Sequence, residues 1–588
     1  MRITYNDKLN KLLNPYLESL LKEKTSLEPE TLTLFDMFME DLDMGGRYGI
    51  FSEILEPRLE EIIREENIES IANLMDGKLH KLFHYMLGDE FAALFRTYLQ
   101  LEARCPHTIG YDRRAQRSTH PSNHLDHARD AWLQFLKLRA TGFSVEAILK
   151  GGNTPEDIEE FSGYMNSSYW LGAQIAQGNE TVIEYLHQVL TSENNANRLQ
   201  RWYLHAIAIS GHRPLLELEG KLLLAAKLQE GLRQAIVETM DEGCPESYLY
   251  LFSIIYHNGL QRFASVKRSI AVCTGIGEQD SSERITNKYV DLIWNFLNHP
   301  EAARNTLQSK DTVELYLALW SIGFYDTDEI RVIVPDIIRK GAKHQIQTLL
   351  YFLRCTQSSQ MNHLISKDAF EVWHDDPKVV AAILPLYMDG LYLSRYSDNK
   401  ETPALSDYFE TPEEAVRQYE YLKQVYQSIS AKETYSPYVF PWDSIILTRS
   451  EVVLKMAYIA WMTNDARLRE ELCEYLPALE SYSRASYIGI VMAHTESKVE
   501  QEYVLQSLGD RSTDIRDEAY KVLSEMSLSP EQYQSIEELL RFKYSEMRIN
   551  AINLLMKQPK EQLTGSIRRL LSNKNAERRL AGLDMMKT

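Results

Sequence analysis

The chain has 588 residues, of which 44% are hydrophobic, and its formal net charge is −20 at pH 7. This length and composition allow several domains' worth of buried core, whereas the acidity argues against nucleic-acid binding, which needs Lys and Arg to neutralise phosphates. The longest apolar run, Val379–Met388, is too short to cross a membrane and the N-terminus has no apolar signal segment, so a cytoplasmic location is expected.

Residues 1–104 are predicted to form an N-terminal helical region. Apolar residues recur at intervals of three and four in segments such as SEILEPRLEEIIREEN and GDEFAALFRTYLQLEAR. That spacing places the apolar side chains on one face of an α-helix, where a neighbouring helix can bury them.

Residues 105–125 are predicted to form a loop rich in histidine and arginine. His120, His124 and His127 are spaced so that imidazoles from the loop and from the start of the next helix could converge. Imidazole is a common ligand of zinc and of other transition metals, so a metal site is one hypothesis. The spacing matches no specific metal motif, and exposed histidines that cap a helix or pair with acids are the more common arrangement.

The same loop contains Arg113, Arg114 and Arg117. Planar guanidinium groups form paired hydrogen bonds with phosphate and carboxylate groups. The loop therefore also has the chemistry to bind a phosphorylated or acidic partner.

Residues 126–393 are predicted to form an irregular helical repeat region. Helical segments such as NETVIEYLHQVL and NRLQRWYLHAIAI follow one another, without a convincing run of alternating strand pattern. No constant period can be assigned to these segments, so the helix pairs are expected to stack irregularly.

Residues 394–442 are predicted to contain one helix between two loops rich in proline and aromatic residues. The tetrapeptide from Thr411 to Glu414 (TPEE) combines an oxygen cap, a first-turn proline and early acids, which are signals for the start of a helix. In the second loop the large rings belong to Tyr438, Phe440 and Trp442. Such rings can anchor a protein partner, or they can pack back over the end of a helical stack and seal it, which is the interpretation we favour.

Residues 443–588 contain a sequence repeat with a period of about 32 residues. The segment Leu508–Leu523 realigns onto Leu540–Leu555 and again onto Leu571–Met586. Such a period is typical of stacked helix pairs, because one pair cannot bury its apolar face alone. One column of the alignment is basic and consists of Arg484, Arg516, Arg548 and Arg579.

The pattern L-x-D-x-x-x-x-I-R-x-x-A-x-x-x-L in Leu508–Leu523 resembles the HEAT repeat family. This resemblance, which covers Leu476–Thr588, implies a right-handed solenoid in which Arg and Asp columns bond between neighbouring repeats. Only Asp510 matches the family's Asp, since Phe542 and Asn573 occupy the equivalent positions. A continuous Asp–Arg ladder is therefore not expected.

The last predicted helix, residues 575–587, is the first helix of a repeat and has no partner in the sequence. Leu580, Leu583 and Met586 are therefore expected to lie uncovered, and we expect a truncated repeat array at the front of a longer polypeptide. The general layout, an acidic helical section followed by degenerate repeats, also resembles the N-terminal portion of large bacterial proteins related to the molybdate-metabolism regulator. That resemblance assigns no activity to any residue.

The predicted fold is thus an all-α, irregular α-solenoid of stacked helix pairs, HEAT-like at its C-terminal end. The predicted function is a scaffold for protein partners or a regulatory helical-repeat arm, with the helices of Arg516, Arg548 and Arg579 as the first surface to test. The alternative is a metal-binding enzyme or sensor that uses His120, His124 and His127. Five dispersed cysteines form no C-x-x-C pair, and no cofactor is predicted.

Overall fold

The protein is described by a computed structural model, which covers residues 7–44, 54–105, 108–109, 113–114, 125–141, 167–192, 199–276, 285–325, 327–356, 359–394, 402–541 and 545–587. Within these residues it forms 29 α-helices and two small antiparallel sheets of two strands each. The all-α fold of stacked helix pairs is thereby confirmed. None of the helices in these ranges has the length and apolar character that a membrane crossing requires.

The chain divides into two compact units. The first comprises Met1–Pro335 with Cys355–Ser358, and the second comprises Asp336–Arg354 with Ser359–Thr588. The helices up to the end of the first long segment are α1 (Asp7–Glu23), α2 (Pro29–Met44), α3 (Leu55–Glu65), α4 (Leu79–Glu102), α5 (Leu125–Thr141), α6 (Ser167–Ala176), α7 (Glu180–Thr191), α8 (Arg201–Ser210), α9 (Arg213–Ala225), α10 (Glu230–Asp241), α11 (Pro245–His257), α12 (Ala264–Cys273), α13 (Asn287–Asn298), α14 (Pro300–Thr306) and α15 (Thr312–Tyr325).

The remaining helices are α16 (Thr327–Lys340), α17 (Lys343–Thr356), α18 (Ser359–Trp373), α19 (Pro377–Ile383), α20 (Pro412–Ser428), α21 (Arg449–Thr463), α22 (Ala466–Leu472), α23 (Ser481–Val491), α24 (Lys498–Ser507), α25 (Thr513–Glu525), α26 (Pro530–Leu539), α27 (Ser545–Leu555), α28 (Lys560–Leu571) and α29 (Ala576–Lys587). The strands are β1 (Thr108–Ile109), β2 (Arg113–Arg114), β3 (Lys432–Tyr435) and β4 (Ile445–Thr448). Strand β1 pairs with β2, and β3 pairs with β4 so that Lys432 faces Thr448 and Tyr435 faces Ile445.

The first unit begins with a bundle in which α5 packs on α1 and α4. Its core is aromatic: the ring of Phe83 lies 4.7 Å from that of Trp132 and 5.3 Å from that of Phe95. Trp132 also contacts Phe38 at 4.8 Å, and all four rings are buried. Each such ring removes a large apolar area from water, so this cluster holds the bundle together.

Farther along the first unit, the helices alternate between two layers. Helices α6, α8, α10 and α12 lie side by side in one layer, and α7, α9 and α11 lie side by side in the other. The helices of the first of these layers begin at uneven intervals, at Ser167, Arg201, Glu230 and Ala264. This variation explains why no constant period is visible in the sequence of this region.

The second unit contains a regular two-layer stack. Layer A consists of α21, α23, α25, α27 and α29, and layer B consists of α22, α24, α26 and α28. The helices of layer A begin at nearly equal intervals, at Arg449, Ser481, Thr513, Ser545 and Ala576. Those of layer B are almost as evenly spaced, and they begin at Ala466, Lys498, Pro530 and Lys560. The stack therefore starts one helix pair before the segment in which the sequence resembles HEAT repeats.

Local capping signals fix where several of these helices begin. The side chain of Thr448 accepts a hydrogen bond from the backbone of Glu451, whose carboxylate accepts one in return, and Ser529 forms the same reciprocal pair with Gln532. Thr411 caps α20 through the backbone of Glu414, as the sequence predicts. These bonds satisfy N–H groups that the first turn of a helix cannot bond internally.

Candidate functional site

The predicted arginine column has two kinds of contact. Arg516 donates from Nη1 to the carbonyl oxygens five and six residues before it, at 3.0 and 2.9 Å. Arg579 repeats this contact at the same spacing, at 2.8 and 2.9 Å. These two arginines therefore cap the loop that precedes their own helix.

The other two arginines of the column reach the next repeat. Arg484 lies 3.0 Å from a carboxylate oxygen of Asp510, and Arg548 lies 3.1 Å from Glu577 and 2.6 Å from Asp584. The first contact joins α23 to the loop before α25, and the second joins α27 to α29. Asp510 is thus the one aspartate of the family pattern that bonds an arginine of the column in the described repeats.

Layer B has a polar ladder that the sequence analysis missed. Arg469 donates from Nε and Nη2 to both oxygens of Glu500, at 2.8 and 2.6 Å, although the Glu500 side chain is only 1% exposed. One step farther, Gln532 donates to Gln501 at 3.2 Å. In each pair the partners are separated by one period of the repeat, so a search for polar pairs at that separation would have found them.

The last step of this ladder involves one of two adjacent acidic residues on α26. Side chains of adjacent residues on a helix diverge, so Glu537 and Glu538 have different environments. Glu538 is exposed, but Glu537 is buried and accepts from Arg569 at 2.7 and 3.2 Å. The ion pair with Arg569 of the next repeat compensates for the burial of the Glu537 carboxylate.

Two of the three large rings in the second proline-rich loop pack back onto the second unit. Tyr438 and Phe440 are buried against Tyr351 of α17, with ring centroids at 5.9 and 5.1 Å. Trp442 stacks on Phe440 at 5.2 Å and is 36% exposed. Among these three candidate partner-binding residues, Trp442 has the ring surface that remains accessible.

Most of the histidine and arginine loop lies outside the described residues. Arg117, His120 and His124 lie outside the described residues. Arg113 and Arg114 form strand β2, and His127 lies in α5, but their side chains are also outside what the structure describes. In the remainder, no three or more His, Cys, Asp or Glu side chains come together in a way that could hold a metal ion.

A buried polar cluster around His363 in the second unit was not predicted. The backbone N–H of Met388 donates to Nδ1 of His363 at 2.9 Å, so Nε2 carries the proton and donates to the carbonyl of Tyr408 at 3.0 Å. Burial lowers the pKa of His363 to about 4, and the charges of Lys367 and Lys455 act in the same direction. Because both ring nitrogens are bonded to backbone groups, this imidazole connects two segments of the chain and is not placed to transfer protons.

The segment that His363 holds is a turn with unusual backbone angles. Met388 has φ +54° and Gly390 has φ +90°, a region that residues with a side chain rarely adopt. The hydroxyl of Tyr458 on α21 donates to the carbonyl of Leu391 at 2.9 Å. The turn is therefore fixed from two sides, by α18 and by the first helix of layer A.

Two lysines complete the cluster. Lys367 is buried and pairs with Glu414 at 3.1 Å. Lys455, on α21, makes no hydrogen bond with any residue that the structure describes, and burial lowers the pKa of its amine to about 8, while the charge of Asp389 opposes this shift.

The cluster closes the first end of the regular stack. Helix α20 packs on α21, and the hydroxyl of the buried Tyr419 contacts the carbonyl of Leu468 at 3.4 Å. Buried strand residues Ile445 and Leu447 lie on β4, which contacts α19 and α21. Because the partners are far apart in sequence, no local motif could have revealed this arrangement.

A model of a protein family matches residues 34–588, and its description is "Family of unknown function (DUF5724)". No curated protein and no solved structure matches the chain. The family match extends over both units.

Proposed function

The chain belongs to DUF5724, a family of unknown function, and from this premise we propose that it is a scaffold that binds a protein partner through layer A of the second unit. A plain scaffold and a regulatory helical-repeat arm are two forms of this function, and both use such a surface. Stacked helix pairs provide an extended surface on which each repeat contributes a few contacts, which suits recognition better than catalysis.

One observation supports layer A, rather than layer B, as the partner-binding layer. In the described part of residues 449–587, five large hydrophobic side chains are exposed: Val499, Ile549, Leu580, Leu583 and Met586. Four of these lie on α27 and α29, which are layer A helices, whereas Val499 alone lies in layer B. Exposed apolar side chains mark interaction sites when they lie together, so their concentration in layer A supports a partner surface there.

Several related properties belong to the same proposal. The repeats are HEAT-like, the location is cytoplasmic, and the partner is neither a membrane nor a nucleic acid. The formal net charge of −20 supports the exclusion of nucleic acid, since a phosphate backbone would be repelled.

The proposal is tested by site-specific photo-crosslinking in the native host. A photoreactive residue replaces Lys521 or Asn553 in layer A, or Gln534 or Gln562 in layer B; all four positions are exposed. We expect a discrete crosslinked band from the layer A positions only. Ile549→Asp should abolish that band, because an aspartate cannot be desolvated in an apolar interface, whereas the matched Val499→Asp in layer B should leave it intact.

Crosslinks of equal strength from both layers, or a layer A band that survives Ile549→Asp, would refute the proposal. Circular dichroism of the purified variants shows whether the helical fold is retained. Since Ile549 is 56% exposed, its replacement is not expected to unfold the stack.

A further inference from the structure

Helix α4 in the first unit has two histidines one turn apart on its surface. His80 and His84 are four residues apart, so their side chains lie above one another on the same helical face. The two imidazole rings lie side by side, with centroids 4.3 Å apart. His80 is exposed and His84 is 32% exposed, so solvent and ions reach both.

A break in the helix brings a carboxylate to this pair. Gly88 has φ +72° and ψ +165°, which interrupts α4 between His84 and Asp89. Beyond the break, the carboxylate of Asp89 turns back and lies 3.0 Å from Nδ1 of His84. An ionised carboxylate can only accept, so Nδ1 of His84 donates the proton, and its Nε2 presents a lone pair.

The other polar neighbour of the pair is already engaged. Arg96 forms an ion pair with Asp76 and donates to the carbonyl of Met75 at 3.2 Å. Its remaining contact, Nη2 to Nδ1 of His80, is 3.5 Å long, at the outer limit of a hydrogen bond. That contact is weak enough for His80 to change tautomer and offer Nε2, and Asp76 balances the positive charge of Arg96.

We propose that His80 and His84 bind a late first-row divalent cation such as Zn²⁺. Two imidazoles supply the protein ligands, water completes the coordination, and Asp89 orients His84 from behind. Imidazole nitrogens suit Zn²⁺, Cu²⁺ and Ni²⁺ better than the oxygen-seeking Mg²⁺ or Ca²⁺. A hydrogen-bonded carboxylate behind a ligand histidine is a common arrangement in metal sites, because it fixes the tautomer and raises the basicity of the ring.

The test is a calorimetric titration of the full chain with Zn²⁺ alone, at neutral pH in a buffer that does not chelate the metal. The double variant His80→Gln/His84→Gln should bind one ion fewer than the wild type. Asp89→Asn should retain the ion and weaken its binding by about tenfold, because Asn no longer holds the charge behind His84. The matched control is His187→Gln on α7, an exposed single histidine, which should leave the titration unchanged.

Equal stoichiometry in the double variant and the wild type would overturn the proposal, and it would assign any bound ion to other residues, including the histidines of the 105–125 loop. A loss of binding in His187→Gln would overturn it as well, by showing that any surface imidazole suffices. Hydrogen exchange provides a second readout: Zn²⁺ should slow amide exchange in residues 80–87 of the wild type but not of the double variant, since a bridge across one turn restrains that turn.

Discussion

Histidines in this protein have opposite environments, and the difference lies in what each ring nitrogen contacts. Both nitrogens of His363 are bonded to backbone groups in the interior, whereas His80 and His84 lie at the surface. Composition and spacing do not distinguish these cases, because Met388 and Tyr408, the partners of His363, are distant from it in the sequence. Histidines are dense in the 105–125 loop, which suggests a site there, whereas nothing in the local sequence singles out His363, His80 or His84.

Acid should destabilise the protein through His363. In the unfolded chain this imidazole takes up a proton near pH 6.5, whereas burial holds its folded pKa at about 4. Between these values the unfolded state binds more protons, so the free energy of unfolding decreases as the pH falls from 6.5 to 4, by up to about 3 kcal/mol. Urea unfolding at several pH values measures this slope.

The variant that isolates this effect is His363→Gln. It should be less stable than the wild type at pH 7, because it loses the fitted ring, but it should show a shallower decrease between pH 6.5 and 4. His187→Gln, at an exposed position, should keep the wild-type slope. An unchanged slope in His363→Gln would mean that other groups cause the acid sensitivity.

At the scale of helices and strands, the contacts between repeats depend on a few buried polar pairs. The ion pair of Arg469 and Glu500 joins α22 to α24, and Thr495 donates its hydroxyl to the same carboxylate. Charges buried in this way need their partners, since a carboxylate alone in the interior loses its hydration without compensation.

Arg469→Met should therefore cost about 3 kcal/mol of stability, because it leaves the Glu500 carboxylate buried and unpaired. The matched control is Arg467→Met on the same helix, where the side chain is exposed and the cost should be below about 0.5 kcal/mol. Both values come from urea unfolding. The double variant Arg469→Met/Glu500→Gln should recover part of the loss, and a cost for Arg469→Met as small as that of the control would show that the pair is not structurally important.

The second proline-rich loop, with Tyr438, Phe440 and Trp442, provides another test at this scale. If Phe440 seals the second unit, Phe440→Ala should cost about 3 kcal/mol, because it leaves a cavity beside Tyr351. Trp442→Ala, at the accessible end of the same stack, should cost about 1 kcal/mol. Thermal unfolding of the two variants gives the comparison. A negligible cost for Phe440→Ala would contradict sealing and make the loop a candidate partner-binding surface again.

For the molecule as a whole, the sequence predicted the all-α class and the repeat period, because both depend on apolar spacing that each helix carries locally. The column is less informative about contacts: Arg516 and Arg579 bond the loop before their own helix, whereas Arg484 and Arg548 bond the next repeat. The repeat region is predicted from residue 443, and the first helix of layer A begins at Arg449. The sequence did not reveal the His363 cluster, which depends on contacts between distant segments.

A stack of this kind should lose stability locally rather than all at once, since each repeat contacts only its neighbours. Leu554→Ala removes a buried side chain from α27 and should cost that region about 3 kcal/mol. Hydrogen exchange should then accelerate in α27–α29, while α21 and α22 keep their protection. The exposed neighbour variant Asn553→Ala is the control, and uniform acceleration from α21 to α29 would indicate a single cooperative unit instead.

The constant interval in the second unit has an evolutionary consequence. Because α21, α23 and α25 start at equal intervals, at Arg449, Ser481 and Thr513, removing residues 480–511 would place α25 on the site that α23 now occupies and leave the layer order unchanged. Each such event shortens the stack by one interhelical spacing, about 9 Å. Duplication or loss of one interval therefore changes the length of the stack in fixed steps, and it requires no new type of contact between helices.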